Sequence, residues 1–182
     1  MFLRSLIVMC FLTVGACANA QPVTAANPPA ASASADESGA LMDKLVGRWI
    51  LTGTIAGQAT VHDVEAEWTL QHKYVRITET SREAGDNGAP AYEATIYVGW
   101  LESEHRYVCI WLDNTEVASG AITCSAHAAR DAIPFEFRDA QGALSFTNTF
   151  AYNRGADTWE WRMDNINNGV AQTFGAVTLR RP

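Results

Sequence analysis

Apolar and polar residues alternate in short segments along most of the chain, from Gly47 to Arg180. A period of two is typical of β-strands with one buried face, because successive side chains of a strand point to opposite faces of the sheet. The segments are also rich in the β-branched and aromatic residues that favour strands. The pattern predicts ten strands, at residues 48–56, 59–70, 73–80, 91–101, 105–112, 117–125, 133–138, 143–152, 157–164 and 170–180.

Short turn sequences separate the predicted strands. Asn168-Gly169 is the clearest of them, because both residues tolerate the positive φ that a type I′ hairpin turn requires. No helix-length periodic segment interrupts the series. Ten consecutive antiparallel strands would leave two exposed edges unless the sheet closed on itself. We therefore predict an all-β, antiparallel up-and-down β-barrel; a β-sandwich is the alternative, although it usually needs longer crossover connections.

The same alternation predicts which side chains share a face of each strand. His62 and Trp68 lie on one face of strand 59–70, and Asn148 lies among the aromatic residues of strand 143–152. Strand 105–112 has apolar residues on both faces, so its inward face stays undecided. The sets that share a face are Thr60, His62, Val64, Ala66, Trp68 and Leu70; Tyr92, Ala94, Ile96, Val98 and Trp100; Leu144, Phe146, Asn148, Phe150 and Tyr152; and Trp159, Trp161 and Met163.

A short helix is predicted before the first strand. Leu41, Met42, Leu45 and Val46 recur at helical spacing, and Gly47 can end the helix. Residues 21–39 are rich in Ala, Pro, Ser and Asn without hydrophobic periodicity, which is typical of a flexible linker. The predicted barrel domain therefore covers residues 40–182.

Residues 1–20 resemble a secretory signal peptide. Arg4 precedes an apolar run, and Ala18-Asn19-Ala20 has the small-x-small pattern of a cleavage site. An alternative is lipidation, because Val14-Gly15-Ala16-Cys17 resembles the bacterial lipobox, in which the cysteine carries the lipid. Cleavage predicts a periplasmic or secreted protein, and lipidation at Cys17 predicts a lipoprotein anchored in the membrane.

Composition narrows the class of partner. Hydrophobic residues make up 48% of the chain and charged residues 18%, which is typical of a globular protein with a sizeable core. The net charge is −7 and Lys and Arg do not cluster. An acidic surface repels the phosphate backbone, so we expect no nucleic-acid partner.

Two cysteines fall in the predicted domain, Cys109 and Cys124. In an exported protein they are candidates for a disulfide, and two separate buried thiols are the alternative. If 105–112 and 117–125 form a symmetric hairpin, Cys109 lies opposite Cys124 and Trp111 opposite Ile122. Directly opposed residues have Cβ atoms about 4.5–5.5 Å apart, close enough for a disulfide after small adjustment.

Several short motifs resemble bacterial lipocalin-like domains of unknown function. Leu45-Val46-Gly47-Arg48-Trp49 with Gly53-Thr54-Ile55 is similar to the opening of that family, and Tyr97-Val98-Gly99-Trp100, Tyr107-Val108 and Trp111-Leu112-Asp113 are similar to its middle. Trp159-Glu160-Trp161-Arg162-Met163 is similar to its penultimate strand. The resemblance spans nearly all of residues 41–180.

This resemblance implies a calycin-type barrel with a short helix beside one end and Trp49 packed across that end. The related nitrobindins bind haem through an axial histidine late in the chain. The histidines here are His62, His72, His105 and His127, and none follows residue 127. We therefore expect no haem, no other cofactor and no metal.

The aromatic residues of the predicted strands are the main functional signal. Individually they are ordinary core residues, but together they are typical of the apolar wall of a ligand cavity, and ten strands enclose a wider interior than eight. Among inward polar candidates, Arg76 would suit a ligand carboxylate through bidentate hydrogen bonds, although a surface Arg76 beside Glu79 or Glu67 is the alternative. The candidate ligand-binding residues are His62, Trp68, Arg76, Tyr92, Trp100, Tyr107, Trp111, Phe146, Trp161 and Phe174.

The sequence favours binding of a small apolar or aromatic molecule inside the barrel. No nucleophile elbow, P-loop or zinc-protease motif is present, so no catalytic residue is assigned. Two alternatives remain. One is an isomerase, cyclase or hydratase that uses His62, His105 or Tyr107 as acid or base. The other is an envelope interaction protein with a filled barrel.

Overall fold

The structure is a computed structural model, and it describes residues 35–115, 122–127 and 129–182. One helix, α1, precedes ten strands, and a 3₁₀ turn at Glu102–Glu104 separates β4 from β5. The elements are α1 (Ala35–Leu45), β1 (Gly47–Ile55), β2 (Gln58–Thr69), β3 (Tyr74–Ser81), β4 (Glu93–Leu101), β5 (Arg106–Asp113), β6 (Ile122–Ala126), β7 (Ala132–Arg138), β8 (Leu144–Asn153), β9 (Thr158–Asn167) and β10 (Val170–Arg180).

The ten strands form one closed antiparallel barrel. Each strand pairs with its neighbours along the chain, and β1 pairs with β10 from Ile50–Arg180 to Ile55–Gly175. The predicted up-and-down barrel is confirmed, and the β-sandwich alternative is wrong. Closure removes the two free edges that the meander would otherwise expose to other chains.

Inward and outward side chains alternate as the sequence predicts. In β2, for example, Thr60, His62, Val64 and Ala66 are buried while the residues between them are mostly exposed. The structure also shows which face of β5 points into the barrel. Tyr107 and Cys109 are buried inside the barrel, and Leu112 is 48% exposed on the outside.

The helix covers one end of the barrel. Leu41, Met42 and Leu45 are buried against the core. The last carbonyls of a helix lack intrahelical donors. Here the indole Nε1 of Trp49 donates to the Leu45 carbonyl at 2.7 Å, and the indole of Trp159 donates to Lys44 at 3.3 Å. These bonds fix α1 across the end of the barrel, and the expected position of Trp49 at that end is confirmed.

Arg181 completes the covered end from the last residues of the chain. Its guanidinium carbon lies 3.5 Å from the centroid of the Trp49 ring, in cation–π geometry. Its Nη1 donates to the Val46 carbonyl at 3.1 Å. The two termini of the domain therefore meet at the helix.

Some predicted boundaries differ from the structure. The helix begins at Ala35, five residues before the predicted start of the domain at residue 40, and most predicted strand ends shift by one to three residues. The predicted signal peptide, the candidate lipidation site Cys17 and residues 117–121 of the predicted sixth strand lie outside the described residues. Among the helices that the structure describes, none has the length and apolar character needed to cross a bilayer.

The predicted hairpin register and disulfide are confirmed. Cys109 pairs with Cys124 across β5 and β6, and Trp111 pairs with Ile122. The two cysteines form a disulfide, with their Cα atoms 4.9 Å apart and a sequence separation of 15. The bond cross-links neighbouring strands inside the barrel, because both cysteines are buried.

Gly53 lies at the seam where β1 closes on β10, opposite Val177. A Cβ atom there would lie 2.3 Å from the Ala176 carbonyl oxygen and 2.6 Å from Val177 Cα, and both are backbone atoms. We expect Gly53→Ala to lower the free energy of unfolding by about 2–4 kcal/mol in a denaturant titration, because the closing strands must move apart. In Gly39→Ala, the control, the new Cβ meets no atom within 4 Å. Equal stability of the two variants would contradict a close-packed seam.

Reduction of the Cys109–Cys124 disulfide should also destabilise the domain. A loop of 15 residues predicts a loss of about 3 kcal/mol, because the reduced unfolded chain gains conformational freedom. Denaturant titrations with and without reductant measure the difference. The mass of the non-reduced protein should be two hydrogens below that of the dithiol form. Alkylation of both Cys109 and Cys124 by iodoacetamide in the unfolded, non-reduced protein would show that the bond is absent.

Candidate functional site

A cavity of about 510 Å³ occupies the end of the barrel opposite the helix. Its walls come from the strand ends near Ile55, Ser81 and Asp113, whereas the helix packs on the ends that carry Trp49 and Trp159. Phe174 at the rim is 37% exposed. This end of the interior is therefore partly empty, and its volume is within the range of small-molecule sites.

One side of the cavity is an aromatic wall, which we define as Trp111, Phe137, Phe146 and Phe174. Neighbouring rings meet edge to face, with centroids 6.0 Å apart for Trp111 and Phe137, 5.4 Å for Phe137 and Phe146, and 6.0 Å for Phe146 and Phe174. These rings come from β5, β7, β8 and β10. The wall exposes apolar surface to the cavity, which favours an apolar or aromatic body there.

The opposite side is a polar wall, which we define as Thr60, His62, Glu79 and Ser81. It comes from β2 and β3, and β3 lies across the barrel from β8. Nδ1 of His62 lies 2.5 Å from Glu79 Oε1, and Nε2 lies 2.6 Å from the Thr60 hydroxyl. His62 and Glu79 are each only 4% exposed. Both ring nitrogens are therefore satisfied, as buried polar groups must be.

Tyr92 lies over the polar wall. Its ring stacks on His62 with centroids 5.6 Å apart. Burial raises the pKa of Tyr92 well above its ordinary value, and the negative charges of Glu79 and Asp113 raise it further, while a hydrogen bond with Trp111 opposes the shift. Glu79 and Asp113 therefore lie close enough to Tyr92 to disfavour ionisation of its hydroxyl group.

Two polar atoms in the cavity lining have no hydrogen-bond partner. They are Oδ1 of Asn148, an acceptor, and Nε1 of Trp161, a donor, and each residue is 1% exposed. Asn148 pairs with Met163 across β8 and β9, so Trp161 is its diagonal neighbour. An unsatisfied buried polar group costs about 1–3 kcal/mol. A bound molecule with a matching donor and acceptor would remove that cost.

Six of the ten predicted ligand-binding residues line the cavity. They are brought together from β2, the segment before β4, β5, β8, β9 and β10. The six residues are His62, Tyr92, Trp111, Phe146, Trp161 and Phe174.

Three of the other predicted residues lie towards the helix-covered end. Trp68 donates its indole N–H to Asp43 on α1 at 2.7 Å. Tyr107 is fully buried, and the Trp100 ring packs edge to face on it with centroids 5.0 Å apart. Tyr107 fills the interior below the cavity, Trp68 and Trp100 pack against the core as partly buried side chains, and none of the three lines the cavity.

The expected inward position of Arg76 is wrong. Its side chain is 43% exposed on the outer surface, where it forms an ion pair with Glu67. The reason is parity along β3, since Val75 and Ile77 point inward and Arg76 must therefore point outward. The surface alternative beside Glu67 describes the structure. His105, one of the candidate acid or base residues, is also exposed.

The candidate site includes residues that the sequence interpretation did not select. Glu79 and Ser81 share the inward face with Val75 and Ile77, and that alternation was visible in the sequence. Phe137 follows Ile133 and Phe135 in the same way. The described residues contain no group of three or more His, Cys, Asp or Glu side chains that could hold a metal ion.

No protein-family model matches the chain, and a search of curated proteins finds no significant match. The candidate site is therefore interpreted from its geometry.

The His62–Glu79 pair supports a testable prediction about stability. Removing one partner leaves a buried polar or charged group unpaired, so His62→Leu and Glu79→Met should each lower the free energy of unfolding by about 3–5 kcal/mol. The double variant removes both groups, so its loss should be much smaller than the sum. Chemical denaturation of the four proteins gives the coupling energy.

The exposed pair Asp63 and Arg82 is the control for that cycle. Asp63 follows His62 in the chain and Arg82 follows Ser81, and the two side chains, 60% and 49% exposed, lie on the outer surface. Its coupling energy should be much smaller than that of the buried pair, because solvent screens the two exposed charges. Additive losses at His62 and Glu79 would show that the two side chains do not interact as the structure describes.

Proposed function

We propose that this protein binds a small apolar or aromatic molecule inside the open end of its barrel. The observation that carries the proposal is the cavity of about 510 Å³ between an aromatic wall and a polar wall. A cavity with apolar walls and a few fixed polar groups is the usual form of a small-molecule site. The unpaired Asn148 and Trp161 atoms support it, because a buried polar group normally has a partner.

The arrangement favours binding over catalysis. Both ring nitrogens of His62 are occupied by Glu79 and Thr60, so no free nitrogen faces a reacting group. His105 is exposed and Tyr107 lies below the cavity, so the three candidate acid–base residues are not assembled in one site. The partly empty interior also gives no support to a filled barrel that acts through its surface.

Export and family are part of the same proposal. A disulfide persists in oxidising compartments, so the Cys109–Cys124 bond supports a periplasmic or secreted location after cleavage at Ala20, or a lipid-anchored one through Cys17. The closed ten-stranded barrel with a helix across one end supports kinship with calycins.

The test uses N-phenyl-1-naphthylamine, a neutral dye that becomes fluorescent in apolar surroundings. We expect saturable binding of one dye per protein. Trp111→Ala should weaken it about tenfold, because the variant removes an aromatic contact worth about 1.4 kcal/mol. Leu112→Ala is the matched control, since Leu112 is the next residue of β5 and is 48% exposed on the outer face.

Two outcomes would contradict the proposal. One is the absence of any saturable fluorescence increase. The other is an equal loss of affinity in the Trp111 and Leu112 variants, which would place the dye outside the cavity. Native mass spectrometry of protein isolated from the producing cell adds a second readout, in which a co-purified small molecule is expected.

A further inference from the structure

Acidic side chains outnumber basic ones around the cavity, where His62, which contacts Glu79, is the one described lining side chain with a basic group. Glu79, Glu83 and Asp113 line it, and none of the described lining residues is Lys or Arg. Glu79 is the deepest of the three, at 4% exposure. Opposite charges attract more strongly in a partly buried site than in bulk water. A ligand cation would therefore be favoured over a ligand anion here.

Aromatic faces add to this preference. Tyr92, Trp111 and Trp161 line the cavity together with the three phenylalanines of the aromatic wall. The faces of such rings carry negative partial charge and attract ammonium groups. The carboxylates and the ring faces thus both favour an ammonium group on the ligand.

The unpaired atoms indicate that the ligand carries a second polar group. Asn148 Oδ1 needs a donor and Trp161 Nε1 needs an acceptor, and the two residues are diagonal neighbours on β8 and β9. A hydroxyl group has the chemistry that both atoms need, because it donates one hydrogen bond and accepts others. These atoms are on the side of the barrel away from Glu79, since β8 and β3 lie across from each other.

We propose that the ligand is a hydroxylated aromatic amine, with its ammonium group at the polar wall beside Glu79 and its hydroxyl group at Asn148 and Trp161. This inference rests on the proposed function and specifies its ligand class. It replaces the carboxylate-bearing ligand that an inward Arg76 would have suited.

Four related probes test both polar ends by isothermal titration calorimetry. Tyramine carries the ammonium and the hydroxyl group, phenethylamine lacks the hydroxyl, tyrosol replaces the ammonium by a neutral alcohol, and 4-hydroxyphenylacetate carries a negative charge. We expect tyramine to bind at least about tenfold more tightly than phenethylamine or tyrosol. The anion should bind weakest.

Two variants assign the preferences to residues. Glu79→Gln removes the buried charge and should abolish the preference of the protein for tyramine over tyrosol. Asn148→Leu should abolish the preference for tyramine over phenethylamine without lowering the melting temperature, because it removes an unsatisfied amide oxygen. Glu65→Gln, which removes a carboxylate from the exposed outer face of β2, is the charge control and should keep both preferences. If Glu79→Gln does not fold, Asp113→Asn at the rim should reduce the first preference in part.

The outcomes separate this inference from the proposed function. Equal binding of tyramine and tyrosol, or tighter binding of the anion, would overturn the inference. Binding of the neutral dye together with no binding of any of the four probes would also overturn it, while the proposed function would stand. If neither the dye nor any probe binds, both fail. If Glu79→Gln keeps the preference for tyramine over tyrosol, the ammonium group does not bind at Glu79. If Asn148→Leu keeps the preference for tyramine over phenethylamine, the hydroxyl group does not bind at Asn148.

Discussion

Closure of β1 onto β10 is the constraint on which the rest of the structure depends. It joins the first and last strands of the domain over six residue pairs, so that only β1 and β10 separate β2 from β9. Without it, the polar wall and the residues of β8 and β9 would not face a common interior. The seam needs Gly53, because any side chain there would meet the backbone of Ala176 and Val177. A local backbone requirement therefore determines whether a cavity exists at all.

The two ends of the barrel differ in how their polar groups are satisfied. At the covered end, carbonyls at and just after the end of α1 accept hydrogen bonds from Trp49, Trp159 and Arg181, and the helix closes this end of the barrel. At the open end, Asn148 Oδ1 and Trp161 Nε1 stay unpaired beside empty volume. Packed and satisfied groups stabilise the fold, whereas unsatisfied ones lower its stability unless a ligand pairs with them.

Sequence periodicity predicted the face of most residues but not their depth in the barrel. The ten strands, the closed meander and the Cys109–Cys124 register follow from alternation and turn chemistry, since a one-residue slip would reverse every side chain. Trp68 and Trp100 show the limit, because they are on the predicted face yet lie below the cavity. Height along the barrel axis depends on strand tilt and stagger, which no single strand encodes. The error at Arg76 is different, because the parity of β3 already indicated an outward position.

The central claim is that the interior at the open end is a binding space, and a crystal structure of the complex with N-phenyl-1-naphthylamine tests it most directly. The account predicts electron density for the dye between the aromatic wall of Phe137 and Phe146 and the polar wall of His62 and Glu79, with the surrounding barrel unchanged. Dye found only on the outer surface, with the space between those walls filled by side chains of the protein, would contradict it.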